Sequence, residues 1–235
     1  MASRRGLDGA AARDGAAAGS ELARLNAFSD GVFALSATLL VVTLEVPSSY
    51  DALLDALRGF PAFFLGFAAL VSLWFNHREF FARYRLGDGW TVALNGLLLF
   101  VVLLYVYPLK LLTEVVSERF LWAEPEVTAE MGRSETQGLF LVYGAGFAAV
   151  FALFTALHVR AWVAREPLAL TPVERAELRR DTAIFAAIAG VGLVSIVAAA
   201  LGLGLGWGLP FWLYGLAPVV VLAQRLVARA AGARR

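Results

Sequence analysis

Four apolar runs in this chain are broken by side chains that can carry charge or hydrogen bonds. Arg24, Ser29 and Asp30 stand at the entry of RLNAFSDGVFALSATLLVVTLEVP, Trp74, Asn76 and His77 close LVSLWFNH, Asn95 lies six residues into a third run, and Gln137 opens a fourth. Insertion scales put an ion at a bilayer centre at about 2.5–3.5 kcal/mol, less near an interface, so such groups face protein or water. Two chemistries fit them. Asp30 and His77 can pass protons, as a proton-coupled secondary transporter requires, or Arg24, Asp30, His77 and Asn95 can satisfy one another and clamp three helices together. Both readings stand on the residues alone.

Other chemistries are excluded. The two histidines, His77 and His158, sit in different apolar runs and neither belongs to an HExxH pattern; a nucleophile elbow and a P-loop are also absent. A hydrolytic or nucleotide-driven enzyme is therefore not expected. The chain has no cysteine, which removes disulfides, thiolate catalysis and thiolate metal sites. Net charge is +1 and only one of the 20 basic residues is lysine, Lys110, so no nucleic-acid surface is implied.

The elements that must position these groups are membrane helices. Sixty per cent of the residues are hydrophobic and mean hydropathy is +0.70, above the apolar share of soluble domains. Windows of about 19 residues give spans near 25–46, 55–76, 89–111, 136–159, 182–204 and 209–226. Each is long enough for a core of about 30 Å at about 1.5 Å per residue. Residues 1–23 form a polar arm expected to be mobile, 24–230 one six-helix domain, and 231–235 a tail. The first run is over 20 residues long with no cleavage site after it, so it reads as a span, not a signal peptide.

Basic residues orient the spans. With both termini in the cytoplasm, 16 of the 20 fall inside and only Arg58, Lys110, Arg119 and Arg133 outside. The outer loops then carry nine acids, among them Glu45, Asp51, Glu124 and Glu135, and an acidic outer face concentrates cations. EVVSERFLW, residues 114–122, has the spacing of a short interfacial helix. Thr171, Pro172 and Glu174 form a helix start leading into the fifth span.

Beyond Asp30 the first helix is uncharged until Glu45, and Leu35, Leu39, Val42 and Val46 recur on one face with Thr38 beside them. Gly144 and Gly146, with Ala186 and Gly190, are small residues suited to close helix packing. The run GLGLGWGLP, Gly202 to Pro210, differs from a TVGYG filter and is too short for a re-entrant loop; it reads as an outer turn.

The stretch Arg24-x-x-x-Phe28-Ser29-Asp30 followed by GVFALSATLLVVTLEVP resembles the signature of the transmembrane protein 175 family of potassium channels in its bacterial six-span form. The likeness extends to Trp74-Phe75-Asn76-His77 and to Asn95 with Pro108. The resemblance implies an all-α membrane protein of six transmembrane helices per chain, both termini cytoplasmic, whose first helix lines the central pore of a homotetramer in a bacterial inner membrane. It assigns the gate and constriction to Leu35, Leu39 and Val42, and selectivity to Thr38, with a potassium ion near its hydroxyl. Arg24, Phe28, Ser29, Asp30, Trp74, Asn76, His77 and Asn95 become the polar network that holds the pore helix. The partners implied are further copies of the chain, the lipid bilayer and permeant potassium, with no cofactor. Ser36 and Ala37 depart from the pattern, standing where larger or equally apolar residues are expected.

Overall fold

The structure, a computed structural model, describes residues 2–42, 48–58, 60–121, 132–205 and 213–214. The described residues form helices and turns: α1 (Ala2–Val42), α2 (Tyr50–Arg58), α3 (Phe60–Tyr84), α4 (Gly89–Leu121), α5 (Arg133–Val163) and α6 (Pro172–Ala200). Among the described residues three segments are long and apolar enough to cross a membrane, Gly89–Thr113 of α4, α5 and α6.

Local chemistry sets the helix ends. Thr171 accepts a hydrogen bond from the Glu174 backbone N–H at 3.3 Å, and its own N–H donates to Glu174 at 2.8 Å, with Pro172 in the first turn of α6. This is the helix start expected from TPVE, each partner filling a backbone vacancy of the other. At the other end Gly202 turns left-handed, φ +67°, and its N–H donates to the Ala199 carbonyl. Gln137 reaches across from α5 and donates to the carbonyls of Ala199 and Ala200 in the last turn of α6.

Several boundaries differ from the hydropathy reading. α1 is helical from Ala2, so residues 2–23 are continuous with the helix that carries Asp30. The start of the expected 55–76 span belongs to α2, and α3 begins only at Phe60, with Pro61 in its first turn. α3 then runs to Tyr84, because Phe80, Phe81 and Tyr84 are buried against protein while Glu79 and Arg83 face outward. α4 passes through Pro108 to Leu121, so residues 114–121 of the expected interfacial helix are the last part of one long helix. Proline removes one ladder hydrogen bond, a loss neighbouring helices absorb. The far end of the first expected span (43–47), most of the acidic loop (122–131), the last residues of the glycine-rich turn (206–210), all of the sixth expected span except 213–214, and the tail lie outside the described residues.

α1, α3 and α4 pack against one another, α4 packs on α5, and α5 pairs most extensively with α6. One core runs from Val32 and Phe33 of α1 through Leu73, Phe80 and Phe81 of α3 and Leu98 and Val102 of α4 to Phe154 and Leu157 of α5 and Phe185 of α6. A second gathers Tyr105, Leu109, Phe140, Tyr143 and Ala199. Close approach of α5 to both α6 and α4 depends on glycine. A Cβ on Gly144 would stand 2.7 Å from Ile196, one on Gly146 would overlap the Tyr105 ring, and one on Gly192 would meet the Ala148 backbone at 3.0 Å. Gly190, expected in this role, faces open space, and Gly192 fills it instead.

Candidate functional site

The polar groups singled out in the sequence converge on the packed side of α1. Ser29 lies at that face because the buried positions of α1 (Ser29, Val32, Phe33, Ser36 and Leu40) recur at helical spacing. Ser29, His77 and Asn95 are 0%, 2% and 1% exposed. His77 Nε2 and Asn95 Oδ1 are 2.7 Å apart, Asn95 Nδ2 donates to Ser29 Oγ at 3.0 Å, and the Ser29 hydroxyl donates to the Leu25 carbonyl at 2.9 Å. With the amide nitrogen committed to Ser29, the amide oxygen faces His77, so Nε2 carries the proton and donates. One directed chain of hydrogen bonds thus joins α3 and α4 to α1. Phe33 and Phe81 lie against the imidazole, ring centroids 5.4 and 4.8 Å away.

A second contact grips α1 from the side. Trp74 donates its indole N–H to Asp30 Oδ1 at 2.8 Å, and the Arg78 guanidinium lies 5.7 Å from the centre of the same indole. The carboxylate and the cation therefore share one aromatic group. Sequence reasoning counted Arg78 only as a topology-setting charge; its i, i+4 relation to Trp74 was the available signal.

The structure does not bring every expected member together. Asp30 and His77 have separate partners rather than a shared bond. Arg24 is exposed and enters none of the ion pairs among the described residues. Asn76 donates to the Ser72 carbonyl of its own helix at 2.7 Å, and Phe28 is 65% exposed.

The opposite side of α1 is bare. Leu35 is 51% exposed and Thr38 is exposed, whereas Leu39 is half-buried; the Val42 side chain lies outside the described residues. At about 100° per residue, Thr38 points some 180° away from Ser29. The Thr38 hydroxyl donates to the Ala34 carbonyl at 3.0 Å, which leaves its oxygen lone pairs directed outward. The departure at Ser36 and Ala37 has a physical reason. Ser36 is fully buried with its hydroxyl donated to Val32 at 2.9 Å, and Ala37 packs on the core, so both serve the inner face. Among the described residues no group of three or more acidic or histidine side chains is placed to hold a metal.

Two ionic ties at one end of the bundle escaped sequence reasoning. Arg83 of α3 contacts Glu79 at 2.8 Å and reaches Glu177 and Asp181 of α6 at 3.2 and 3.5 Å. Arg160 of α5 contacts Asp88 at 3.0 Å, and the Thr91 hydroxyl donates to the same carboxylate at 2.6 Å. Burial raises the Asp88 pKa, but Thr91 and Arg160 outweigh it and hold the carboxyl below its usual range.

Residues 24–105, the segment that contains both grips, match the family described as endosomal/lysosomal potassium channel TMEM175. A protein of Marivirga tractuosa named as a potassium channel is 31% identical over 185 residues, covering 76% of this chain and 75% of that protein. One from Chamaesiphon minutus with the same name is 37% identical over 103 residues, covering 40% of this chain and 51% of its own. The crystal structure of the T38A variant of the potassium channel MtTMEM175, bound to a nanobody fusion, superposes with a TM-score of 0.75 at 30% identity, over 88% of this chain and 93% of that one. The lysosomal potassium-selective channel TMEM175 homolog from Chamaesiphon minutus gives a TM-score of 0.60 at 27% identity, over 87% and 98%. Likeness at this level across most of both chains, joined to the match on the gripping segment, makes this chain a member of the TMEM175 family.

Proposed function

We propose that this membrane protein is the subunit of a potassium channel whose ion path runs along the exposed face of α1. The observation that carries the proposal is the division of α1 into two sides. Ser29 and Ser36 are buried and hydrogen-bonded, whereas Leu35 and Thr38, on the other side, lie open in the single chain. Membership in a family of channels rather than enzymes supports the same reading.

In this proposal six spans with both termini cytoplasmic cross a bacterial inner membrane, and four chains surround the pore. Four copies of Leu35 form an apolar throat, with Leu39 and Val42 above it; such a throat gives an ion nothing in exchange for its water and closes by dewetting. Four Thr38 hydroxyl oxygens replace part of the hydration shell of a passing cation. Potassium releases water at lower cost than sodium, which gives a modest preference for potassium. The Ser29, Asn95, His77 chain and the Asp30, Trp74 pair hold the helix from behind.

The test is potassium flux from liposomes containing the purified protein, with oligomeric state measured in detergent. A tetramer with a potassium-preferring leak, increased by Leu35→Ala and made less selective by Thr38→Ala, is the expected result. A monomer without flux overturns the proposal, and unchanged reversal potentials in Thr38→Ala remove that hydroxyl from selectivity.

A further inference from the structure

The turn joining α5 to α6 carries cations that enter no ion pair among the described residues. The ion pairs among the described residues involve Arg83, Arg160 and Arg180, and none involves Arg165, Arg175 or Arg179. Of the acids nearby, Glu174 is engaged on Thr171 and both Glu177 and Asp181 on Arg83, while Glu166 beside Arg165 enters no ion pair among the described residues. Arg165 and Arg179 instead share one aromatic ring. Their guanidinium carbons lie 4.9 and 5.6 Å from the centre of the Trp162 indole. The two charges are thus no farther apart than those two distances combined, despite their repulsion.

The turn is built to keep them there. Backbone N–H groups of Ala164, Arg165, Leu168, Ala169 and Leu170 all donate to carbonyls within the same eleven residues, and Ala169 accepts a left-handed φ of 50° to close the turn. Arg165 also donates to the Trp162 carbonyl at 2.9 Å, which leaves most of its guanidinium N–H donors open. Exposed apolar side chains stand on the two helices that flank the turn. Val163 at the end of α5 and Val173 in the first turn of α6 are 63% and 68% exposed. Trp162 ends a membrane-capable helix, the depth at which tryptophan meets lipid headgroups.

We propose that Arg165 and Arg179, held on Trp162, form a binding site for the headgroup phosphate of an anionic phospholipid in the leaflet on this side of the bundle. Guanidinium forks match phosphate oxygens, and the exposed valines offer the adjoining acyl chains a surface. A free anion shares the phosphate chemistry but gains nothing from Val163 and Val173, so the site takes a lipid.

The test uses the full chain in detergent micelles, titrated with phosphatidylglycerol, phosphatidylcholine or soluble glycerol phosphate. Thermal unfolding and retained lipid by native mass spectrometry are the readouts. Phosphatidylglycerol is expected to raise the unfolding midpoint and remain bound, while the other two do neither. Each arginine removed should weaken the apparent affinity about fivefold, on the scale of one basic residue at an anionic surface. Should Arg165→Gln with Arg179→Gln fail to fold, Arg179→Gln alone carries the test, since that side chain is exposed, rests on the ring and enters no ion pair among the described residues. Arg133→Gln removes the same charge at the other end of α5, about 43 Å away along the helix, and should bind as the parent does. Undiminished binding by the Arg179 variant, or an equal loss in Arg133→Gln, overturns the site. Equal stabilisation by glycerol phosphate overturns the lipid as its occupant.

Discussion

The Asn95 side-chain amide of α4 donates to the Ser29 hydroxyl of α1 across 3.0 Å, the two lying 66 positions apart in sequence and both almost wholly buried. Removing the amide strands groups on two other helices. Asn95→Leu leaves the His77 Nε2–H and the Ser29 oxygen without their partner, and unsatisfied buried groups cost about 1–3 kcal/mol each. A loss of about 2–4 kcal/mol is expected in denaturation of the purified protein. Combining Asn95→Leu with Ser29→Ala should cost less than the separate losses together, because both report one shared bond; strict additivity would show that the contact carries no coupling.

Trp74→Phe keeps an aromatic ring near Arg78 but removes the donor to Asp30. A hydrogen bond to a charged group contributes about 1.5–3 kcal/mol, and exposure of Asp30 places this one at the lower end. Unfolding should therefore shift by roughly 1.5 kcal/mol. Asp30→Asn should reproduce most of that change, since the indole would meet a weaker acceptor. A shift for one variant and none for the other would argue against the pair acting as a unit.

Two glycines two residues apart in α6 should respond oppositely. Gly190 faces open space, so Gly190→Ala gains helix propensity and stabilises by up to about 1 kcal/mol. Gly192→Ala drives a methyl into the Ala148 backbone of α5 and should cost about 1–3 kcal/mol. Paired thermal melts of the two variants check both signs.

Stability should also depend on pH through Asp88. Its carboxyl is held low by Thr91 and Arg160, so its contribution is complete above the ordinary carboxylate pKa of 3.8 and is lost as pH falls through the lower folded value. The pair is about one-third exposed and screened by solvent, which limits its worth to about 1 kcal/mol. Asp88→Asn should accordingly be less stable than the parent at pH 7, with the gap narrowing as acid protonates the parent's carboxyl. A gap that persists in acid would assign the stabilisation to something other than the ionised carboxylate.

Depth within the membrane was readable from the sequence, and rotation was not. Counting residues from the span ends placed Asp30, His77 and Asn95 at one level, and the structure joins His77 and Asn95 to Ser29, the neighbour of Asp30. Which partner each polar group takes depends on helix rotation and side-chain rotamer. Hydropathy has no information on either, so Asp30 was set beside His77 and Arg24 when it bonds to Trp74. The same blindness hid Ser36, a polar residue on the buried side that satisfies itself through Val32. Helix ends chosen by charge also failed at HREFFARY, where apolar positions are buried against protein instead of lipid and the helix continues to Tyr84. The α6 start was legible because a capping box is a local exchange of hydrogen bonds that needs no tertiary context.

The grip on α1 is confined to one end of the segment that carries its bare face. Ser29 is six residues below Leu35 and nine below Thr38, or about 9 and 13 Å along the axis. With Ser29 as a fulcrum, tilting the helix by about 10° carries Leu35 sideways by about 1.6 Å and Thr38 by about 2.4 Å at that rise. Turning the helix about its own axis would instead tear Ser29 from Asn95 and Asp30 from Trp74. Of the two movements only the tilt keeps both polar contacts; its displacement grows with distance from the anchored end, and Leu40, packed against α3, is what it must shift.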